Sequence, residues 1–232
     1  MSDHPAIFLP VDAAYDRWSA CYDTYDNPMV FMASQALRAS LSASESTGAH
    51  VFEFGCGTGR NLAWMKSMGA GEVAGCDLSQ GMLDVARERC PGARVFQHDM
   101  TKPLPSSEGC ASADLALFCL TLEHVADLAL PLAEARRILR PGGRIAIFEI
   151  HPFLSLDGVA AHFQHAGQEV RMPTVAHCFA DYLQVFAGLD LHVARCREWR
   201  PRDVGEPPPV KALKRGPDFP LVVEFSLERR FA

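Results

Sequence analysis

The chain has 232 residues, enough for one large domain with a full core, and its 48% hydrophobic and 22% charged residues fit an ordinary globular protein and exclude disordered, collagen-like and disulfide-scaffold classes. Twenty-eight acids against 22 bases leave a net charge of −6, which removes the general attraction to phosphate backbones and favours a small-molecule partner over nucleic acid. There is no C-x-x-C pair among the eight cysteines, no apolar run near the ~20 residues of a membrane span and no signal-peptide pattern in MSDHPAIFLPVD; the expectation is a cytoplasmic protein with buried thiols, no metal and no membrane contact.

The pattern changes after residues 46 and 150. Residues 1–46 carry Tyr15-Asp16-Arg17-Trp18 and Tyr22-Asp23. From 47 to 150, short apolar runs alternate with helical stretches: VFEF (51–54), EVAGCD (72–77), RVFQHD (94–99), ADLALFCL (113–120) and RIAIFEI (144–150). Continuous apolar runs suit strands covered on both faces, so this βαβ rhythm predicts a doubly wound, mostly parallel α/β sheet. Between the fourth and fifth runs, Leu128, Leu132, Ala135 and Leu139 form one helical stripe, and Pro141-Gly142-Gly143 is expected to end that helix. After 150 the rhythm breaks into a cap over 151–190, with an amphipathic helix around 177–187 using Phe179, Leu183 and Phe186. Residues 190–199 and 219–230 read as two strands, an antiparallel pair at one edge that brings the sheet to seven. The proline-rich stretch between them is a long loop.

The segment Val51-Phe-Glu-Phe-Gly-Cys-Gly-Thr-Gly-Arg-Asn61 puts Glu53 at a strand end and Gly55, Gly57 and Gly59 in the turn into a helix, where the backbone can approach a ligand closely. The dinucleotide pattern G-x-G-x-x-G would need a small residue where Arg60 stands, so G-x-G-x-G after an acid suits a cationic, amino-acid-bearing cofactor better than a pyrophosphate. Asp77 ends the second strand, where a carboxylate can take ribose hydroxyls. Asp99 ends the third, and Phe118-Cys119-Leu120 the fourth. In an open α/β sheet all of these face one crevice.

From 50 to 152 these motifs resemble the class I S-adenosylmethionine-dependent methyltransferases, in their small-molecule branch, and Tyr15 to Asp23 resembles the start of relatives whose N-terminal helices close over the cofactor. The resemblance implies a Rossmann-like seven-stranded sheet in a single domain, made of an N-terminal helical lid (1–46), a cofactor-binding core (47–150), a cap and helix (151–190) and a terminal strand pair (191–232). It further implies that the loop at Gly55, Gly57 and Gly59 holds the methionyl part of S-adenosylmethionine, that Cys56 and Asn61 also bind the cofactor, and that Glu53 orients its amino group, directly or through water. Asp77 would take the ribose, Leu78 and Met82 the adenine faces, and Asp99 with Met100 the adenine edge. Phe118, Cys119 and Leu120 would lie beside the sulfonium, and Tyr15 and Tyr22, under the lid, would also bind the cofactor.

Other side chains invite a role. His151, directly after the fifth strand, is the candidate general base; His124 is either structural or a cofactor-side contact; His98 should alternate away from Asp99. Phe8, Trp18, Phe31, Phe153, Leu154, Phe163 and Phe179 suggest a partly apolar acceptor, and the basic stretch 195–215 a site that draws an anionic or carrier-bound one. The reaction expected is methyl transfer to an O, N or C nucleophile, leaving S-adenosylhomocysteine. Methyl-esterification of a carrier-bound acid is the alternative. A nicotinamide-dependent oxidoreductase and a non-catalytic cofactor-binding protein are the readings from other classes.

Overall fold

The apolar runs of 51–150 form parallel strands sandwiched between helices in the computed structural model, which describes residues 6–107 and 112–229. Cys110, and Arg230 at the end of the expected last strand, lie outside the described residues. The chain opens on β1 (Ile7–Phe8), α1 (Val11–Trp18), a 3-10 turn at Tyr22–Thr24, α2 (Pro28–Ser40) and α3 (Ala43–Ser46). The second helix starts where it does because the Asn27 side chain accepts from the Met29 and Val30 amides, with Pro28 in the first turn.

The core then runs β2 (His50–Phe54), α4 (Arg60–Ser67), β3 (Glu72–Asp77), α5 (Gln80–Arg89), β4 (Arg94–Gln97), β5 (Ala113–Cys119), α6 (Ala129–Ile138) and β6 (Leu139–Ile150). After it come α7 (Pro152–Leu156), β7 (His162–His165), β8 (Gln168–Arg171), α8 (Phe179–Gly188), β9 (Leu191–Trp199) and β10 (Val222–Arg229). The main sheet has the order β4-β3-β2-β5-β6-β10-β9, parallel except that β10 runs antiparallel to both neighbours. This is the expected seven-stranded sheet with its antiparallel edge pair. Strand order reverses beside β2, and the carboxyl ends of β2 and β5 open a crevice there. Phe54 and Phe118 stack under that crevice with ring centroids 4.7 Å apart, making its floor rigid.

Several boundaries differ from the sequence reading. β4 stops at Gln97, so Asp99 sits in the turn beyond it. Leu139 is not the last residue of a helix but the first of β6: Ala113 faces Leu139 and Leu115 faces Arg144, so residues 140–143 loop out within the strand, with Gly142 at φ +82°. On α8 the buried residues are Tyr182 and Phe186, while Leu183 is exposed.

The cap holds a second sheet that the sequence did not announce. β7 and β8 form a hairpin, and β8 takes β1 alongside it in parallel, pairing Ile7 with Val170 and Phe8 with Arg171. Trp18 of α1 stacks on Phe163 of β7 at 4.6 Å, both fully buried. The N-terminal helices and the cap are therefore one roof over the carboxyl end of the sheet.

Candidate functional site

The turn after β2 is built to bring backbone against a ligand. Gly57 has φ +52°, and a Cβ there would meet nothing within 4 Å: the missing side chain leaves open cavity. Gly59, at φ +70°, serves packing instead, since a Cβ would come within 2.9 Å of Ala86 Cβ on α5. Asp77 braces the same turn. One carboxylate oxygen accepts from the Gly57 amide at 2.8 Å and the other from the Ser79 amide at 2.9 Å. Each oxygen keeps a further lone pair for hydroxyls from the cavity. Burial raises this carboxyl above its ordinary range, against the pull of those amides.

Behind the turn, Glu53 is 1% exposed. Its Oε1 accepts from Asn61 Nδ2 at 2.7 Å, and its Oε2 has no partner among the described residues. Burial pushes this carboxyl up to about 8, so it awaits a donor or a positive charge. At the far end, Asp99 Oδ1 accepts from the Thr101 amide and hydroxyl, and Lys102 lies 3.2 Å from Oδ2. Burial raises Asp99, but these contacts outweigh it and the net shift is downward.

The roof is latched on from above. Asp16 of α1 accepts from Ser79 Oγ at 2.6 Å and the Gly81 amide at 2.9 Å, and Arg89 of α5 holds Asp23 at 2.7 Å. His124, in the 3-10 turn Leu122–His124, has Nδ1 2.9 Å from the Pro173 carbonyl. A carbonyl only accepts, so Nδ1 carries the proton and Nε2 accepts from the Tyr15 hydroxyl at 2.9 Å. Burial lowers the pKa of His124, which favours this neutral form.

Two cavities result. The first, over the glycine turn, is lined by Tyr15, Tyr22, Gly55, Gly57, Asp77, Leu78, Met82, Asp99, Met100, Cys119 and Leu120, as the sequence predicts. Val11, Asp12, Ser79, His98, Thr101, Thr121 and Val125 line it too and were not foreseen, and His124, for which the sequence left a structural or a cofactor-side role open, lines it as well. His98 is a correction: strand alternation was to turn it away from Asp99, but β4 has already ended at Gln97 and alternation no longer applies. Ser79 could have been found, as the serine just before the helical run that caps α5.

Glu53, Cys56, Gly59, Asn61 and Phe118 do not line this cavity. They stand one layer behind it: Glu53 with Asn61, Cys56 through its amide on the Cys76 carbonyl, Gly59 against Ala86, and Phe118 on Phe54.

The second cavity, of about 380 Å³, lies beyond a partition of Tyr15, Tyr22 and Leu120, which line both. Its walls are Trp18, Tyr25, Met29, Val30, Ile150, Leu154, Val159 and Leu221, with Glu123 among them and Asp26, Lys211, Lys214 and Arg215 also facing it. Of the aromatic and aliphatic residues expected in an acceptor pocket, Trp18 and Leu154 are here, whereas Phe8 and Phe153 are exposed and Phe31, Phe163 and Phe179 pack elsewhere. The basic stretch divides in the same way. Arg195 pairs with Glu224, Arg200 with Glu198 and Arg202 with Asp218, all away from the cavity that Lys211, Lys214 and Arg215 line.

His151 is the main correction. It is fully buried, lines neither cavity, accepts the Phe153 amide on Nδ1 at 3.2 Å and places Nε2 3.1 Å from Glu198. It caps α7 and joins it to β9, with no nitrogen free to take a proton from a substrate.

Residues 52–147 match the methyltransferase domain family. The chain is 31% identical over 142 residues to a demethylmenaquinone methyltransferase of Tropheryma whipplei, covering 60% of this chain and 58% of that one. It is 31% identical over 134 residues to a malonyl-[acyl-carrier protein] O-methyltransferase of Serratia marcescens, covering 57% and 51%. The chain thus spans about half the length of these curated relatives. An S-adenosylmethionine-dependent methyltransferase structure from Mesorhizobium loti superposes with a TM-score of 0.63 at 24% identity, over 84% of this chain and 96% of that one, and establishes the shared fold.

Proposed function

We propose that the protein is a class I S-adenosylmethionine-dependent methyltransferase, a reading supported by the match of residues 52–147 to the methyltransferase domain family, and that it methylates a small, partly apolar molecule held in the second cavity. When bound, S-adenosylmethionine supplies a methyl group activated by its sulfonium. The observation that carries the reading is the pairing of an open glycine cradle, braced by Asp77, with a larger cavity across a partition of only three side chains.

The residues present fit that group. Asp77 would accept the ribose hydroxyls, Leu78 and Met82 would flank the adenine, and Asp99 with Met100 and His98 would meet its edge. The Gly55–Gly57 backbone would receive the methionyl part. Glu53, with its unpartnered Oε2, would meet the positive amino group, directly or through a water.

What the chain itself supplies is alignment and exclusion of water. Tyr15 and Tyr22 under the roof, and Leu120 held at φ +54° after β5, would keep an acceptor in line with the cofactor. Holding reacting groups in line is worth roughly 7–11 kcal/mol of barrier. Lys211, Lys214 and Arg215 favour an acceptor with an acidic group, free or carrier-linked; the carrier case draws further support from the likeness to a malonyl-carrier enzyme.

Thermal unfolding with S-adenosylmethionine, S-adenosylhomocysteine, NAD and NADP tests the reading. A ligand at ~100 times its Kd stabilises by about 2.7 kcal/mol, or roughly 5–10 °C for a chain of this size. A shift with the first two alone is expected. A shift with the nicotinamides alone refutes it.

A further inference from the structure

Among the side chains of the second cavity, Glu123 stands out. It lies on the turn Leu122–His124 directly after β5 and is only 7% exposed, in a cavity walled by Tyr15, Trp18, Tyr22 and Tyr25. Its Oε2 accepts from the Ala161 amide at 3.2 Å, and no other hydrogen bond or ion pair reaches its carboxyl among the described residues. The cations of the cavity are engaged elsewhere or exposed: Lys211 with Asp26, Arg215 with Asp157, and Lys214 in solvent. A carboxyl buried without a cation calls for a proton donor, and the open side of this one is the cavity.

Its place in the chain brings it to the partition. Leu120, three residues earlier, lines both cavities, and His124, the next residue, lines the first and holds the Tyr15 hydroxyl. Other titratable groups nearby are already committed. Tyr15 donates to His124; Glu149 of β6 accepts from the Thr121 and Leu122 amides; His162 of β7 sits on the Ala160 carbonyl at the exposed end. The phenols of Tyr22 and Tyr182 are held protonated by desolvation, far above neutral pH.

We propose that Glu123 is the proton acceptor for methyl transfer, and that the second cavity takes a hydroxylated aromatic acid. The inference rests on the methyltransferase reading. In the step, the O–H bond of the acceptor breaks and its proton passes to the Glu123 carboxylate. The oxygen forms the new bond to the methyl carbon as the S–CH₃ bond breaks, its electron pair staying on sulfur. The aromatic walls supply flat surfaces for a ring, and Lys214, the lining cation with no carboxylate partner among the described residues, would meet the acid group. Burial pushes Glu123 up to about 7. That makes it a far better base at neutral pH than an ordinary carboxylate, well matched to a phenol near ~10 and not to an alkyl alcohol, which lies close to water's ~16.

The Ala161 contact ties the cap to the core, so the test must separate holding from proton transfer. Glu123→Gln keeps an acceptor for that amide and cannot take a proton. The first readout is binding, in the presence of S-adenosylhomocysteine, of 4-hydroxybenzoate and of its methyl ether 4-methoxybenzoate. The wild type should favour the phenol at least tenfold, increasingly as pH rises through about 7, and E123Q should show a preference independent of pH. The second is S-adenosylhomocysteine release with a panel of hydroxylated aromatic acids. E123Q should lose ~10²-fold or more in kcat, with KM nearly unchanged, and lose the rising limb of the pH–rate profile. Should E123Q not fold, Glu123→Asp keeps the charge and should move the midpoint of that limb. An unchanged limb in either variant, no binding of either probe, or no turnover with the panel while S-adenosylmethionine still stabilises the protein overturns the assignment. Loss of that stabilisation would strike the methyltransferase reading instead.

Discussion

Two glycines of one turn should fail in opposite ways when changed to alanine. At Gly57 the new methyl meets nothing within 4 Å and projects into the first cavity; the cost to the fold is the left-handed backbone alone, about 1–2 kcal/mol. Reduced freedom of the unfolded chain offsets about 0.4–1 kcal/mol of that, leaving a fall of only a few degrees in Tm. At Gly59 the same strain is joined by a contact 2.9 Å from Ala86 Cβ and 3.1 Å from its Cα, and backbone cannot step aside cheaply. Overpacking of this kind adds about 1–3 kcal/mol, for a net of roughly 1–4.5 kcal/mol and a Tm lower by about 2–18 °C. Calorimetric titration of each folded variant with S-adenosylhomocysteine completes the contrast. Gly57→Ala should lose at least tenfold in affinity, about 1.4 kcal/mol, whereas Gly59→Ala should bind far closer to wild type once folded. Wild-type affinity in Gly57→Ala, or wild-type stability in Gly59→Ala, would refute the division of labour between them.

His151→Ala should lower Tm while leaving the single-turnover methylation rate within a few-fold of wild type, because it removes a buried cap and not a base; a hundredfold rate loss would reverse that assignment. Asp77→Asn turns an NH₂ toward one of two backbone amides, so cofactor affinity should drop at least tenfold, measured by the same titration. Glu53 holds its proton in the fold up to about 8 but only to about 4.5 when unfolded. The folded state therefore binds more protons between those values, and this contribution to stability, complete below pH 4.5, is lost as pH rises through 8. Glu149 and Glu123 act in the same direction, so wild-type Tm should fall from pH 5 to 8.5, and Glu53→Gln should make the fall shallower.

The sheet was legible because each of its core strands carries a short, mostly apolar run set between helical stretches, and much of the lining of the first cavity because strand ends, glycines and acids keep fixed chain positions relative to one another. Asp77 could be placed on that basis alone, whereas Leu78 came only with the resemblance to the methyltransferase family. The small sheet was not legible: β1 is two residues long, and β7 and β8 are four-residue segments with one buried side chain each, too short for periodicity to register. His151 misled because adjacency to a strand end says where a residue sits but not which way it turns; its ring is drawn inward to Glu198, 47 residues away. Glu123 stayed hidden for the converse reason. Its surroundings come from the N-terminal helices and the cap, segments remote in sequence that meet only in the folded roof.

Because Tyr15, Tyr22 and Leu120 each face both cavities, the wall between them is a single layer of side chains common to both. Any displacement of these residues by one occupant changes the free energy of admitting the other, and thermodynamic reciprocity makes that change equal in both directions. On the proposed assignment of the two cavities, cofactor and acceptor affinities are therefore not separate constants. Each holds only for a stated occupancy of the neighbouring cavity.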